Sequence, residues 1–479
     1  MNNQEEVKYE RISRELRSSI RTGTYRPGDK LPSLREICRT YGVSLGTAVE
    51  AYGRLQDDGL LTPRDRSGFF VSGLTSGNLP PPRQPTNSGG PVPVRIGAMA
   101  IRILDSLGQP GMVNLGAGIP SQDFLPSKSL ARSISSAARS NPGGLSRYSG
   151  VSGEIGLRRQ IARVMNAAGV TGAPEEIIIT NGCQEALVLA LQAVAEPGDT
   201  IAVESPTFFG LLQAAEGLGI KVVEMPLEYP RGVTPETVAR VIANHPIRAC
   251  LLTPNFNNPT GVLMPEQDKQ LITKILAGAG IPLIEDDIFG FISFSAPRHR
   301  AAASYDNTGN TILCSSFSKS ISPGLRLGWI QGGRFTEKIK EKKFLANIGT
   351  GTLPQIGLAS LLARGGVLRG IRRFADRMHG HMLQMRRDIQ DLFPPGTRMS
   401  EPQGGLYLWV ELPGGLDGEA LFNRCLEQGI SIMPGILFSP SGAYRNHIRL
   451  TFSAEPPQVC RAALRKVASL LPDIPRTDG

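Results

Sequence analysis

Residues 315–329 read SSFSKSISPGLRLGW, and the rest of the chain is best approached from this stretch. Lys319 lies just beyond the apolar run TILCSS (311–316), with Ser316 and Ser318 before it and Arg326 after it. A lone lysine in a polar loop is ordinarily a solvated surface residue. Here an amine, two hydroxyls and a guanidinium crowd the end of a strand that reads as buried, surroundings that suit a bound cofactor better than solvent.

On either side of this stretch, short apolar runs alternate with helical patterns: EEIIIT (175–180), TIAVES (200–205), KVVEMPL (221–227), RACLLTP (248–254), IPLIED (281–286), TILCSS and LGWIQGG (327–333). Nearly continuous apolar strands separated by helices predict a mainly parallel, seven-stranded α/β sheet covered on both faces. In such a sheet functional residues gather at the carboxyl ends of the strands. After Gly370 a basic helical stretch leads to GGLYLWVEL, HIRLTFSA and PPQVCRAALRKVASLL, the pattern of a smaller α+β part. Residues 111–479 therefore read as one large domain, with a large part over about 111–370 and a small part over about 371–479.

The N-terminal side differs. Tyr9, Ile12, Leu16 and Ile20 form a helical stripe, Ser33 and Ser44 stand where they can cap two further short helices, and LLTPRDRSGFFVSG alternates around a Ser67-Gly68 turn. Three helices and a hairpin within residues 1–72 are the order of a winged helix-turn-helix. Between the two, residues 73–110 are rich in Pro, Gly and Ser and read as a flexible linker.

Composition sets the outer limits. The 479 residues are 40% hydrophobic and 20% charged, which fits a globular chain of more than one domain. No apolar stretch is long enough for a membrane span and the charged N-terminus has no signal-peptide core, so a cytoplasmic protein without a membrane partner is expected. The six cysteines are scattered, with no metal-ligand spacing, which points to reduced thiols and no metal site. A net charge of +10 is compatible with a polyanionic partner.

Residues 110–475 resemble a fold-type-I, class I aminotransferase, and residues 7–71 resemble a GntR-family winged helix; the fusion in that order resembles the MocR subfamily of GntR regulators. The resemblance implies pyridoxal 5'-phosphate as cofactor, joined through its aldehyde to Lys319. It implies that Ser316, Ser318 and Arg326 hold the phosphate with backbone donors of Gly182, Cys183 and Gln184 in TNGCQEALVLAL. Asp286, ending IPLIED, would face the pyridine nitrogen and keep it protonated, although the pair Asp286-Asp287 also reads as a solvated strand end. Asn258 in NFNNPTG would bond the ring's phenolic oxygen or simply make a turn, and Phe208 in ESPTFFG would stack on the ring or fill core. Tyr148 would reach a phosphate across a dimer interface, or else sit in the core, and Arg449 in HIRLTFS would clamp a substrate carboxylate. Ile288 and Phe289 stand where many relatives carry a tyrosine, a departure that puts efficient transamination in doubt.

In the winged helix, the resemblance places Arg35, Ser44 and Thr47 against double-stranded DNA, with Arg64 and Arg66 in the wing. Leu45 occupies a position that is commonly arginine in the family. A protein-interaction module is the plainer alternative for so small a unit. The resemblance as a whole implies a homodimeric, ligand-responsive transcriptional regulator whose effector is a small amino compound or a B6 vitamer. An active aminotransferase with an appended DNA-binding unit is the second reading.

Overall fold

The computed structural model describes residues 8–21, 24–25, 28–57, 60–64, 67–71, 79–84, 89–106, 111–295 and 297–477. The chain forms two compact units, one built on the N-terminal residues and one running from Pro80 to the C-terminal part.

In the first unit, α1 (Lys8–Arg21), α2 (Leu34–Tyr41) and α3 (Leu45–Asp57) precede the hairpin β1 (Leu61–Arg64) and β2 (Gly68–Val71). Ser33 closes a full capping box, its Oγ accepting from Glu36 N–H while the Glu36 carboxylate accepts from Ser33 N–H. Ser44 Oγ accepts from Thr47 N–H at 3.2 Å, so both expected caps form. Ile12, Leu16, Leu31, Ile37, Ala48, Ala51, Tyr52, Leu55, Leu61 and Val71 make the core. Tyr52 is buried with its hydroxyl donating to Pro32 O at 2.6 Å, which satisfies its one polar atom.

The second unit begins earlier than the composition suggests. Residues 79–84 and 89–106 of the stretch expected to be a flexible linker are ordered parts of the structure, including strand β3 (Val92–Pro93) and helix α4 (Gly97–Ser106). Val94, Ile96, Ala100 and Ile103 are buried, and the Glu216 carboxylate accepts from Ile96 N–H at 2.9 Å and Gly97 N–H at 2.8 Å at the start of α4. Upstream, Pro80 O accepts from Met399 N–H and Arg83 N–H donates to Glu411. A stripe at Ile96, Ala100 and Ile103 buries enough apolar surface to order a segment whose prolines suggested otherwise.

The chain then runs β4 (Val113–Asn114), α5 (Ser127–Ser140), α6 (Ile155–Met165), β5 (Ile177–Thr180), α7 (Gly182–Val194), β6 (Thr200–Ser205), α8 (Phe209–Gly217) and β7 (Lys221–Pro226). It continues through α9 (Pro235–Asn244), β8 (Ile247–Leu252), α10 (Glu266–Gly278), β9 (Leu283–Asp286), β10 (Thr311–Ser316) and β11 (Gly328–Gln331). All seven expected strands form, and β3 adds an eighth, giving the order β3-β7-β6-β8-β9-β10-β11-β5. β7, β6, β8, β9 and β10 are mutually parallel, whereas β11 is antiparallel to both its neighbours and β3 to β7. β5, β6 and β10 are buried at every residue, as covered sheets require.

Helices α11 (Thr336–Asn347), α12 (Thr352–Ala363) and α13 (Val367–Leu392) follow, and α13 runs straight through the boundary expected near residue 370. The remaining elements are β12 (Arg398–Met399), β13 (Tyr407–Glu411), α14 (Gly418–Glu427), β14 (Ile430–Ser431), β15 (Met433–Pro434), β16 (His447–Thr451) and α15 (Pro457–Leu470). β12-β13-β16-β15 form an antiparallel four-stranded sheet, and β14 pairs in parallel with β4. No helix among the described residues is long and apolar enough to cross a membrane.

Because one carboxylate satisfies two orphan donors at the start of α4, Glu216→Ala is expected to cost about 1–2 kcal/mol of stability. Amide exchange should accelerate over residues 92–106 and leave the β6–β10 core unchanged; unaltered exchange there would show that packing alone holds the segment.

Candidate functional site

The carboxyl ends of the parallel strands converge on one polar cluster. Asp286 closes β9, Ser316 closes β10, and Gly182 opens α7 directly after β5. The β9 end carries three consecutive acids, Glu285, Asp286 and Asp287, all buried. Glu285 accepts from the N–H groups of Ala302 and Ala303, and Asp287 pairs with Arg298 and accepts from Asn255 Nδ2. Asp286 takes Ile288 N–H at 3.1 Å and the Cys183 thiol at 3.5 Å. Burial is the main reason its carboxyl is pushed up to about 6; the Ile288 and Cys183 donors and the Lys319 ammonium pull the other way. The solvated strand end is thereby excluded for both Asp286 and Asp287.

Lys319 is half-buried and its Nζ donates to Gly118 O at 2.8 Å. Ser316 Oγ accepts from Ser318 N–H at 3.1 Å, and Arg326 places Nη1 at 3.5 Å from Ser318 Oγ and Nη2 at 3.2 Å from Asn181 O. Gly182 has φ +81, and a Cβ there would come within 2.3 Å of Arg326 Nη2. Glycine is required twice over, for the backbone conformation and for the approach of the guanidinium. The first N–H groups of α7, at Gly182, Cys183 and Gln184, have no acceptor within their own helix, so a cation and open donors converge on a space suited to an anion. Gln184 spends its side chain differently, donating from Nε2 to Gly210 O at 2.6 Å.

A second anion-seeking group lies across from Lys319. Arg449 is only 2% exposed, with Nη1 donating to Asn258 Oδ1 at 2.8 Å and Nη2 to Gly116 O at 2.7 Å. Its Nε has no hydrogen-bond partner, and no carboxylate among the described residues forms an ion pair with it. Burial alone lowers its pKa, as expected for a cation that lacks a counter-charge. The Tyr407 ring lies 4.0 Å beneath the guanidinium, and a Cβ on Gly118 would meet the Tyr407 hydroxyl at 2.1 Å. Tyr407 thus brings a phenol beside the loop that holds Lys319 Nζ. Nothing in the continuous apolar run GGLYLWVEL marks Tyr407 out in the sequence. Gly116 and Gly118, which let that loop approach so closely, were missed too; only their spacing in NLGAGIP hinted at them.

The structure brings Lys319, Asp286, Gly182, Cys183, Ser316, Ser318 and Arg326 together, and it joins Asn258 to Arg449. Phe208 is half-buried at the N-terminal cap of α8, 5.0 Å from the Phe209 ring. Tyr148 is 79% exposed, which excludes the core alternative and leaves it outside the cluster within one chain. In the winged helix, Arg35 and Ser44 are exposed, and Ser44 Oγ lies 2.9 Å from Thr47 Oγ1. Only the backbone of Arg64 is among the described residues, and Arg66 lies outside them.

The groups present fit pyridoxal phosphate. Gly182 and Arg326 frame an anion cradle, a lysine amine and a buried carboxyl stand beside it, and the orphaned Arg449 Nε leaves a donor for a further anion. Comparison with known proteins agrees. Residues 110–467 match the family Aminotransferase class I and II, and residues 8–71 match Bacterial regulatory proteins, gntR family. The chain is 33% identical to the uncharacterized HTH-type transcriptional regulator YjiR of Escherichia coli, over 96% of this chain and 98% of that one. It is 30% identical to YdcR of the same organism, over 90% and 92% of the two chains. The crystal structure of LysN, the alpha-aminoadipate aminotransferase of Thermus thermophilus complexed with N-(5'-phosphopyridoxyl)-L-leucine, superposes with a TM-score of 0.72 at 26% identity, covering 78% of this chain and 94% of that one. The fold is that of pyridoxal-phosphate-dependent enzymes.

A carboxyl raised in the folded state gives stability that is complete below its unfolded pKa and is lost as pH climbs through its folded one. For Asp286 that window runs from about 4 to about 6, and at most about 3 kcal/mol is at stake. Glu204 and Glu285, each pushed up to about 7 by burial, destabilise parent and variant alike as pH rises and so cancel from their difference. In protein freed of pyridoxal phosphate, Asp286→Asn should therefore gain in melting temperature relative to the parent between pH 4 and 6. A difference that stays flat with pH would refute the assignment.

Proposed function

The chain belongs to the GntR-family regulators whose winged helix is fused to an aminotransferase class I and II domain, the MocR architecture, and we propose that it is a ligand-responsive, pyridoxal-phosphate-dependent transcriptional regulator. Pyridoxal phosphate, when bound, supplies a reactive aldehyde and an electron-withdrawing ring. Lys319 is the amine that holds the aldehyde. Arg326, Ser316, Ser318 and the first turn of α7 hold the phosphate, and Asp286 faces the pyridine nitrogen. Asn258 and Phe208 position the ring.

The observation that carries the effector reading is Arg449, a buried guanidinium with an unpartnered Nε, no ion pair to a carboxylate among the described residues and Tyr407 beneath it. Such a cation is costly until an anion joins it, so the ligand that fits is an amino compound bearing a carboxylate. To switch anything, that ligand must bind two conformations with different affinity. Residues 80–84 give such a difference a physical route: they bond to Met399, Arg398 and Glu411 and, through Gln84, to the Tyr444 hydroxyl, all in the part of the unit that contributes Arg449.

A second copy of the chain completes the account. Tyr148, Leu345 (84%) and Phe344 (59%) are all exposed, and the Tyr148 segment is bonded to the residues just beyond α11, Ser149 Oγ donating to Thr350 O and Thr352 Oγ1 to Arg147 O. Exposed apolar and aromatic side chains of this kind suit a homodimer in which Tyr148 serves the partner's phosphate. Paired winged helices then meet two half-sites on double-stranded DNA, with Arg35, Ser44, Thr47, Arg64 and Arg66 as the contacting residues.

An active aminotransferase is the second reading, favoured by the complete set Lys319, Asp286, Asn258 and Arg449. One set of spectra separates the two. Protein supplied with pyridoxal phosphate should show a visible band that borohydride bleaches while fixing the cofactor to Lys319, and Lys319→Ala should trap none. Amino acids should shift the band, and Arg449→Ala should weaken their effect about ten- to a hundredfold while sparing amines without a carboxylate. Steady conversion of an added keto acid would favour the enzyme; no band at all would overturn the cofactor assignment.

A further inference from the structure

The face that α3 turns to solvent is unusual for a helix that meets DNA. Ala48, Ala51, Tyr52 and Leu55 fill the core, and the outward side of the first two turns carries Leu45, Gly46, Val49 and Glu50. Leu45 is 56% exposed and Val49 50% exposed, one helical turn apart and therefore on one stripe. The polar side chains nearby are already engaged. Ser44 Oγ accepts from Thr47 N–H and shares a hydrogen bond with Thr47 Oγ1, so both hydroxyls are held in the cap, where they suit phosphate contacts rather than base reading. Glu50 lies 3.7 Å from Arg54 Nε, and Arg54 also reaches Glu10 and the Tyr9 hydroxyl. Gly46 adds no bulk: a Cβ there would approach nothing closer than Ser44 Oγ at 3.9 Å.

Resting on the regulator reading above, we propose that Leu45 and Val49 are the specificity-determining residues of the DNA-reading helix and recognise the C5-methyl groups of thymines in the major groove. In a helix-turn-helix unit, the N-terminal residues of the recognition helix reach base edges. The one apolar group that projects into that groove is the thymine methyl; the characteristic groups of the other bases there are hydrogen-bond donors and acceptors. Two branched aliphatic side chains with nothing to donate or accept match that feature and no other base. Lys30, Arg35 and Arg39, all exposed in the same unit, supply the complementary charge for phosphates. The Glu36 carboxylate beside them is turned into the α2 cap.

The test uses the full chain, loaded with pyridoxal phosphate, and a random pool of duplexes from which bound sequences are selected. The selected site is then remade with deoxyuridine in place of individual thymines, which removes only the methyl. We expect A·T pairs to be fixed at the contacted positions, and loss of one methyl to weaken binding about fourfold. Leu45→Ala should abolish the sensitivity at one thymine and Val49→Ala at another, with melting temperatures unchanged because both side chains are exposed. Selected sites that bind equally well with uracil would overturn the proposal while leaving the DNA-reading function intact, and would make the stripe a surface for protein. No enrichment of any duplex would overturn both.

Discussion

Asp286 has to remain buried at the end of β9, within reach of Lys319, and much of the second unit is organised by that requirement. An isolated carboxyl in so dry a place tends to keep its proton; a cationic ring nitrogen is the partner that would let it ionise. The flanking acids are tied off separately, Glu285 by two backbone donors and Asp287 by Arg298 and Asn255, so only Asp286 is left to face a ligand. Lys269, itself buried, holds Asn255 through a 2.7 Å bond and so supports the same strand end from behind. The parallel strands fix these positions to within a side chain's reach, and Gly182 lets Arg326 close the opposite side.

How much of this was legible in the sequence depends on whether order came from local pattern or from distant partners. The seven central strands are continuous apolar runs because both faces of the sheet are covered, and each forms where its run lies. The Lys319 segment was legible because its hydroxyls and guanidinium are close in sequence. β3 was not: two residues of a proline-rich stretch pair with β7, and the adjoining helix start is held by Glu216, some hundred residues on. Tyr407 was hidden for a related reason. It lies in a continuous, wholly buried apolar run, and only the approach of β13 to the Gly116–Gly118 loop brings its phenol to the loop that holds Lys319 Nζ. The antiparallel run of β11 was equally unreadable, since strand direction leaves no mark on an apolar run.

The two units solve different problems with the same economy of charge. In the large unit a cation, Arg449, is buried without its counter-ion, leaving a place that only an incoming anion completes. In the small unit polar side chains are consumed in caps and ion pairs, and apolar ones are left facing outward. Residues 80–84, β3 and α4 belong to the large unit, the first bonded to its smaller sheet and β3 paired with β7.

The account stands or falls on coupling between the buried site and the DNA-reading unit. The measurement is the affinity of the full, cofactor-loaded chain for a selected duplex, with and without an amino acid that shifts its visible spectrum. A change of about fivefold or more, absent in Lys319→Ala and in Arg449→Ala, is the predicted result; such factors correspond to ordinary allosteric coupling. An affinity that no amino acid or amine alters, in protein that nevertheless turns over a keto acid, would contradict it and leave an aminotransferase with a DNA-binding unit attached.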